Sequence, residues 1–346
     1  MRIITLLSPA KTLNWAPAPA SLAELCTQPK MLKEADPVVE VMRTKSKATL
    51  KKLMSISDNI ADLNHERFKN FLRADDVEGN LDDEAADNLR PAALAYDGPA
   101  YRGLEAKTFS DQDWAFGQTT VRVLSGLYGV LRPADLIQPY RLEMGSRVGV
   151  AGQKDLYQYW KDTITQCLLQ DVGGTAHAGS GKTQGKKDPP VDKFLVVNVA
   201  SQEYSKAVDF DALEKAGGKV FTCVFKDDGR VLSVFAKRAR GLFARHVVER
   251  RATGVADLEG FSSEGYHLDR AQCDDSVLVF SRSKAQRTAW QAQETGRTAL
   301  GKKRAAPAAG PANTSGAGSG PNSEEIEGGK KSSKKGGRKT SKARSK

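Results

Sequence analysis

The chain has 346 residues, 39% hydrophobic and 27% charged, with four cysteines, a balance that excludes a collagenous, membrane-spanning or disulfide-stapled protein. Its net charge of +11 is unevenly placed: residues 301–346 hold 12 Lys or Arg against 3 Glu, which leaves residues 1–300 at +2. A body so close to neutral binds polyanions only where its cations cluster on one surface.

Residues 1–7 predict a buried strand, ended by Ser8-Pro9 because proline lacks a ladder donor and restricts the residue before it. The apolar run is too short for a secretory leader and Lys11 soon interrupts it; no stretch reaches the roughly 20 apolar residues of a membrane helix. Ser57-Asp58 caps a predicted helix to about Phe71. Ser110 starts another, with Asp111 and Asp113 at the positive helix end and Phe109 and Trp114 at the staple positions. That helix is expected to run toward Val123, although Val121 to Leu124 also read as a strand. Residues 155–170 repeat Leu156, Tyr159, Trp160, Ile164 and Cys167 at helical spacing.

Residues 195–198, 220–225 and 231–235 predict short strands, the last two joined across Asp227-Asp228-Gly229. The class is therefore α/β, with a mixed sheet. A body over residues 1–283 is expected to carry a flexible insertion at 173–190, followed by a disordered basic tail at 284–346 rich in Ala, Gly, Ser and Lys. Within the insertion, Gly179-Ser180-Gly181-Lys182-Thr183 imitates a phosphate loop, but Ala176 stands where a Walker A motif needs glycine and the segment follows a helix. No nucleotide cofactor is expected.

The cysteines Cys26, Cys167, Cys223 and Cys273 are scattered and read as reduced thiols of a cytosolic protein. With four histidines and no Glu-x-x-His pair on an expected helix, neither a metal site nor any cofactor is expected. Two segments carry cues for anions. In residues 124–133 two glycines, Gly126 and Gly129, make a turn between the Ser110 helix and a second helix expected toward Ile137. As a helix-hairpin-helix this turn would offer amides to phosphate around Ser125, Tyr128 and Arg132; a simple structural turn is the competing reading. In residues 236–251, Lys237, Arg238, Arg240 and Arg245 fall on one arc at about 100° per residue, opposite Ala239, Leu242 and Phe243.

Leu7-Ser8-Pro9-Ala10-Lys11-Thr12-Leu13, the block from Leu124 through Arg132-Pro133 to Met144, Lys154-Asp155-Leu156-Tyr157, residues 198–204, Ala236 to Gly241 and residues 260–266 stand in an order that resembles the YaaA family of peroxide stress-resistance proteins. The resemblance covers about residues 1–283. It implies a single α/β domain of unusual topology, a helix-hairpin-helix beside a positive cleft that binds duplex and distorted DNA, and a role in surviving hydrogen peroxide by limiting damage linked to unincorporated iron. The long insertion and the tail depart from the family pattern.

The DNA contacts expected are Lys11, Ser125, Gly126, Tyr128, Gly129, Arg132, Lys237, Arg238, Arg240 and Arg245, to the phosphate backbone without base specificity. The alternative is a lesion-processing enzyme, with Lys11, Glu143, Lys154 and Asp155 as candidate nucleophiles and bases and Arg141 and Glu203 in neighbouring blocks. Against it, Arg141, Glu143 and Asp155 also read as ion-pair and cap residues. No membrane contact is expected, and protein partners are left open. The tail's lysine pairs suit added DNA affinity, a nuclear address or a solubilising end.

Overall fold

Seven strands form one mixed sheet in the computed structural model, which describes residues 1–78, 88–173 and 193–293. β1 (Arg2–Leu7) lies inside it and is buried from Ile3 to Leu7. It pairs in parallel with β2 (Val121–Ser125) on one side and β4 (Phe194–Asn198) on the other. β5 (Gly218–Asp227) pairs in parallel with β4 and with β7 (Val277–Arg282). The edges are antiparallel: β3 (Gly129–Leu131) on β2, and β6 (His267–Leu268) on β7. The order is β6-β7-β5-β4-β1-β2-β3. Apolar runs with both faces buried are what a parallel sheet covered by helices requires. All described residues belong to one compact unit, Met1–Arg297.

The chain leaves β1 toward β2 and later returns past it to β4 and β5, so connections from β1 and β4 depart in opposite directions. Such a reversal opens a crevice at the carboxyl ends of the two strands. Local signals set the helices around it. α1 (Leu32–Arg43), α2 (Lys47–Met54) and α3 (Asp58–Lys69) come first, with Ser57 at the N-cap position of α3. α4 (Pro99–Leu104) is short. α5 (Asp111–Thr120) begins with a capping box between Ser110 and Asp113, and Phe109 meets Trp114 edge to face at 5.9 Å. α6 (Leu156–Asp171) is capped by the Asp155 carboxylate, which accepts the Gln158 amide at 2.9 Å, and buries Leu156, Trp160, Ile164 and Cys167. α7 (Ser233–Glu249) buries Ala236, Ala239 and Phe243.

Three expectations are corrected. The Ser110 helix stops at Thr120, where β-branched residues pass into β2. Residues 231–235 make no strand: Asp228 and Gly229 take positive φ in a turn, and α7 begins at Ser233 because the ladder position beside β5 is filled by β7. Helical structure also continues past Ser283 over residues 284–293, where Arg287 pairs with the buried Asp227. The phosphate-loop imitation and the remainder of the tail lie outside the described residues, as does nearly all of the insertion.

α7 is fixed from two sides. Phe243 packs with Phe225 of β5 at 6.0 Å and with Phe261 at 5.3 Å, contacts of about 0.5–1.5 kcal/mol each beyond area burial. On its other flank the backbones of α4 and α7 touch: a Cβ on Gly241 would lie 1.7 Å from the Ala100 carbonyl oxygen, and one on Gly103 2.4 Å from that of Arg238. Only glycine permits this approach.

Candidate functional site

A cleft of about 280 Å³ opens at the carboxyl ends of β1 and β4, where the strand reversal places it. Its base is the turn after β1. The Ser8 hydroxyl oxygen accepts the Ser201 amide at 2.8 Å, and the Ser8 carbonyl accepts the Tyr101 hydroxyl at 3.1 Å, so the loops following β1 and β4 are tied to α4. Tyr101 and Tyr204 form apolar walls, and burial raises both phenols well above their ordinary range.

Lys11, Lys237 and Arg240 line the cleft together with Asp97 and Glu203. Lys11 Nζ lies 2.7 Å from Glu143 Oε2, while Arg141 reaches the other oxygen of that carboxylate at 3.4 Å. Asp97 pairs with Arg102 at 3.2 Å, and Glu203 accepts the Gly145 amide at 3.1 Å. Lys237 is exposed and Arg240 half-buried, and neither has a carboxylate partner among the described residues. Burial lowers the proton affinity of Arg240, yet a guanidinium stays charged at any biological pH. A desolvated cation without a protein anion beside it is the arrangement an anionic ligand completes.

The other two cations assigned to this helix face are already engaged. Arg238 Nε binds the buried Glu264 at 2.6 Å and also donates to the Arg102 carbonyl at 3.1 Å. Arg245 holds the Leu104 and Glu105 carbonyls at 3.1 Å, pairs with Glu249 at 2.7 Å and lies over the Phe109 ring. Both fasten α7 to α4, Arg238 through the Arg102 carbonyl and Arg245 through those of Leu104 and Glu105.

The helix-hairpin-helix expected around residues 124–133 is corrected to a β-hairpin. Gly126 lies in the connection between β2 and β3 and Gly129 opens β3 opposite Ser125, and a Cβ on Gly126 would lie 2.7 Å from the Leu142 carbonyl oxygen. Ser125, Gly126, Tyr128 and Gly129 are buried. The Ser125 hydroxyl accepts the Leu127 and Tyr128 amides at 3.1 and 2.9 Å, so these donors are directed inward. It also bonds to Tyr140, whose phenol burial pushes up to about 12. The Gly126 carbonyl accepts Trp160 Nε1 at 3.0 Å, and the Tyr128 hydroxyl accepts the Gln138 amide at 3.0 Å. Arg132 pairs with Asp135 at 2.8 Å and donates to the Gln28 carbonyl. Two adjacent helices joined by a tight turn do occur elsewhere, at α2 and α3 across Ser55-Ile56-Ser57.

Of the four catalytic candidates, Lys11 and Glu143 meet, whereas Asp155 is a helix cap and neither it nor Lys154 lines the cleft. Sequence reasoning passed over Ser8, Asp97, Tyr101 and Ser201. A usable signal existed for two of them: Ser8 and Ser201 follow predicted strands, where open α/β sheets place their sites. Among the described residues no group of three His, Cys, Asp or Glu side chains gathers to hold a metal, all four cysteines are free, and no helix is long and apolar enough to cross a membrane.

The chain matches the family described as peroxide stress protein YaaA over residues 3–272. A UPF0246 protein of Aromatoleum aromaticum is 38% identical over 284 residues, spanning 81% of this chain and 99% of that protein.

Proposed function

The chain belongs to the YaaA family of peroxide stress proteins, and we propose that it serves that response by gripping nucleic-acid phosphate, without reading bases, at the cleft formed by Lys11, Lys237 and Arg240. The observation that carries this reading is the placement of Lys237 and Arg240. They stand at one crevice without acidic partners among the described residues, while Arg238 and Arg245 of the same helix are engaged by the fold. Protein cations on a phosphate backbone displace its condensed counterions. Metal ions held there would leave with them, which links the contact to damage by unincorporated iron. The basic tail adds sequence-independent attraction on this reading.

The test is duplex affinity of the full chain against salt, for the native protein and for Lys237→Glu combined with Arg240→Gln. The slope of log affinity against log salt is expected to shrink by about 2, near one unit per lost phosphate contact. An unchanged slope and affinity would overturn the proposal.

A second reading, a DNA-lesion enzyme, is favoured by one observation: the Lys11 ammonium and the Glu143 carboxylate lie 2.7 Å apart at the cleft, an amine beside a base. Incubation with abasic and oxidised duplex under borohydride should then trap an adduct that is lost in Lys11→Gln. No adduct and no nicking leaves binding alone.

A further inference from the structure

The dimensions and charges of the same cleft discriminate among phosphates, an argument that rests on the reading above and narrows its ligand. Lys11 is matched by Glu143 and Asp97 by Arg102, whereas Lys237 and Arg240 have no carboxylate partner among the described residues, so two cations face the ligand against the single Glu203 carboxylate in the lining. An internal phosphodiester brings a single negative charge. A phosphomonoester brings about −1.5 to −2 at neutral pH, with three acceptor oxygens. Arg240 and Lys237 can serve two of those oxygens, and the Ser201 hydroxyl, which accepts from Ser8 at 3.3 Å and keeps its own proton, is a donor for the third.

The surroundings oppose a strand that passes through. The cleft holds about 280 Å³ and is lined also by Asp97, which Arg102 neutralises, and by Glu203, which pairs with no cation among the described residues. A continuing backbone would crowd a second phosphate into this small space with the Glu203 charge, whereas a strand that ends here would not. We infer that the cleft recognises a phosphomonoester, the group that terminates a nucleic-acid strand, in preference to the diesters within it.

The test measures binding of the full chain to otherwise identical labelled duplexes carrying a 5′-phosphate, a 3′-phosphate or hydroxyl ends at near-physiological salt. Competition by deoxyadenosine monophosphate and by deoxyadenosine runs in parallel. A phosphorylated end is expected to bind about tenfold more tightly than a hydroxyl end. Lys237→Gln, an exposed change that leaves the core intact, should bring the two within about twofold. Arg240→Lys, which keeps the charge and loses the planar fork, should retain part of the preference.

Equal affinity for all ends, with no advantage of the monophosphate over the nucleoside, would overturn the inference while leaving backbone binding in place. If the monophosphate competes in a Lys237-dependent manner but no duplex binds, the monoester chemistry holds with a free nucleotide as its source, and the broader proposal of nucleic-acid binding fails.

Discussion

The hairpin between β2 and β3 and the helix α7 present similar cues for phosphate binding, glycines in one and cations in the other, yet the fold uses them differently. The hairpin turns its donors inward onto Ser125 and its carbonyl onto Trp160. α7 divides its cations, committing Arg238 and Arg245 to the protein and leaving Lys237 and Arg240 to the cleft. A glycine marks close backbone approach as readily as an exposed amide. A cation marks a ligand site only after its neighbours are known.

Several measurements would break or sharpen this contrast. The largest effect is expected from Arg238→Ala, which removes the 2.6 Å partner of the buried Glu264 and leaves only the longer contact to Arg282 at 3.6 Å, and should cost about 3 kcal/mol in urea unfolding. Phosphate affinity of the folded fraction should change little; a large fall would return Arg238 to the binding surface. Gly126→Ala forces a methyl against the Leu142 carbonyl and should lower stability by about 2 kcal/mol. A hairpin that held phosphate would instead lose affinity without losing stability.

A smaller effect should come from His246 near the end of α7, whose imidazole is half-buried and whose Nε2–H donates to the Asp257 carbonyl at 2.8 Å. Burial lowers its folded pKa, so the unfolded chain binds the proton more readily and acid favours unfolding. Its contribution should be complete above about pH 6.5 and decline below that as pH falls toward the depressed folded value. His246→Gln should flatten this part of the pH profile of the urea midpoint. The smallest effect is expected for Lys154→Gln, outside the cleft: nucleic-acid affinity should stay within about twofold, near the limit of a single exposed charge.

Much of the scaffold was legible because its signals are local. The run ending at Leu7, the Ser110 capping box and the repeat through Trp160 each specify an element from adjacent residues. Family membership was legible in the order of short blocks. The cleft was legible only in part, since Lys11, Glu203 and Arg240 converge from segments far apart in the chain. Lys237 and Arg238 are adjacent cations with nothing local to distinguish them; what separates them is Glu264, which lies 26 residues beyond Arg238 in sequence. Residues 231–235 misled because Val231, Val234 and Phe235 are strand-favouring residue types, while the position they would occupy beside β5 belongs to β7.

The backbone-to-backbone crossing at Gly103 and Gly241 has a consequence for how this site can diversify. Since no side chain separates α4 from α7 at this crossing, main-chain contact fixes the spacing of the two helices that bring Pro99 and Lys237 to the cleft. Exchanging residues along the rim retunes charge and hydrogen bonding while the two helices keep their spacing, so new ligands can be selected on a frame that does not need to be rebuilt.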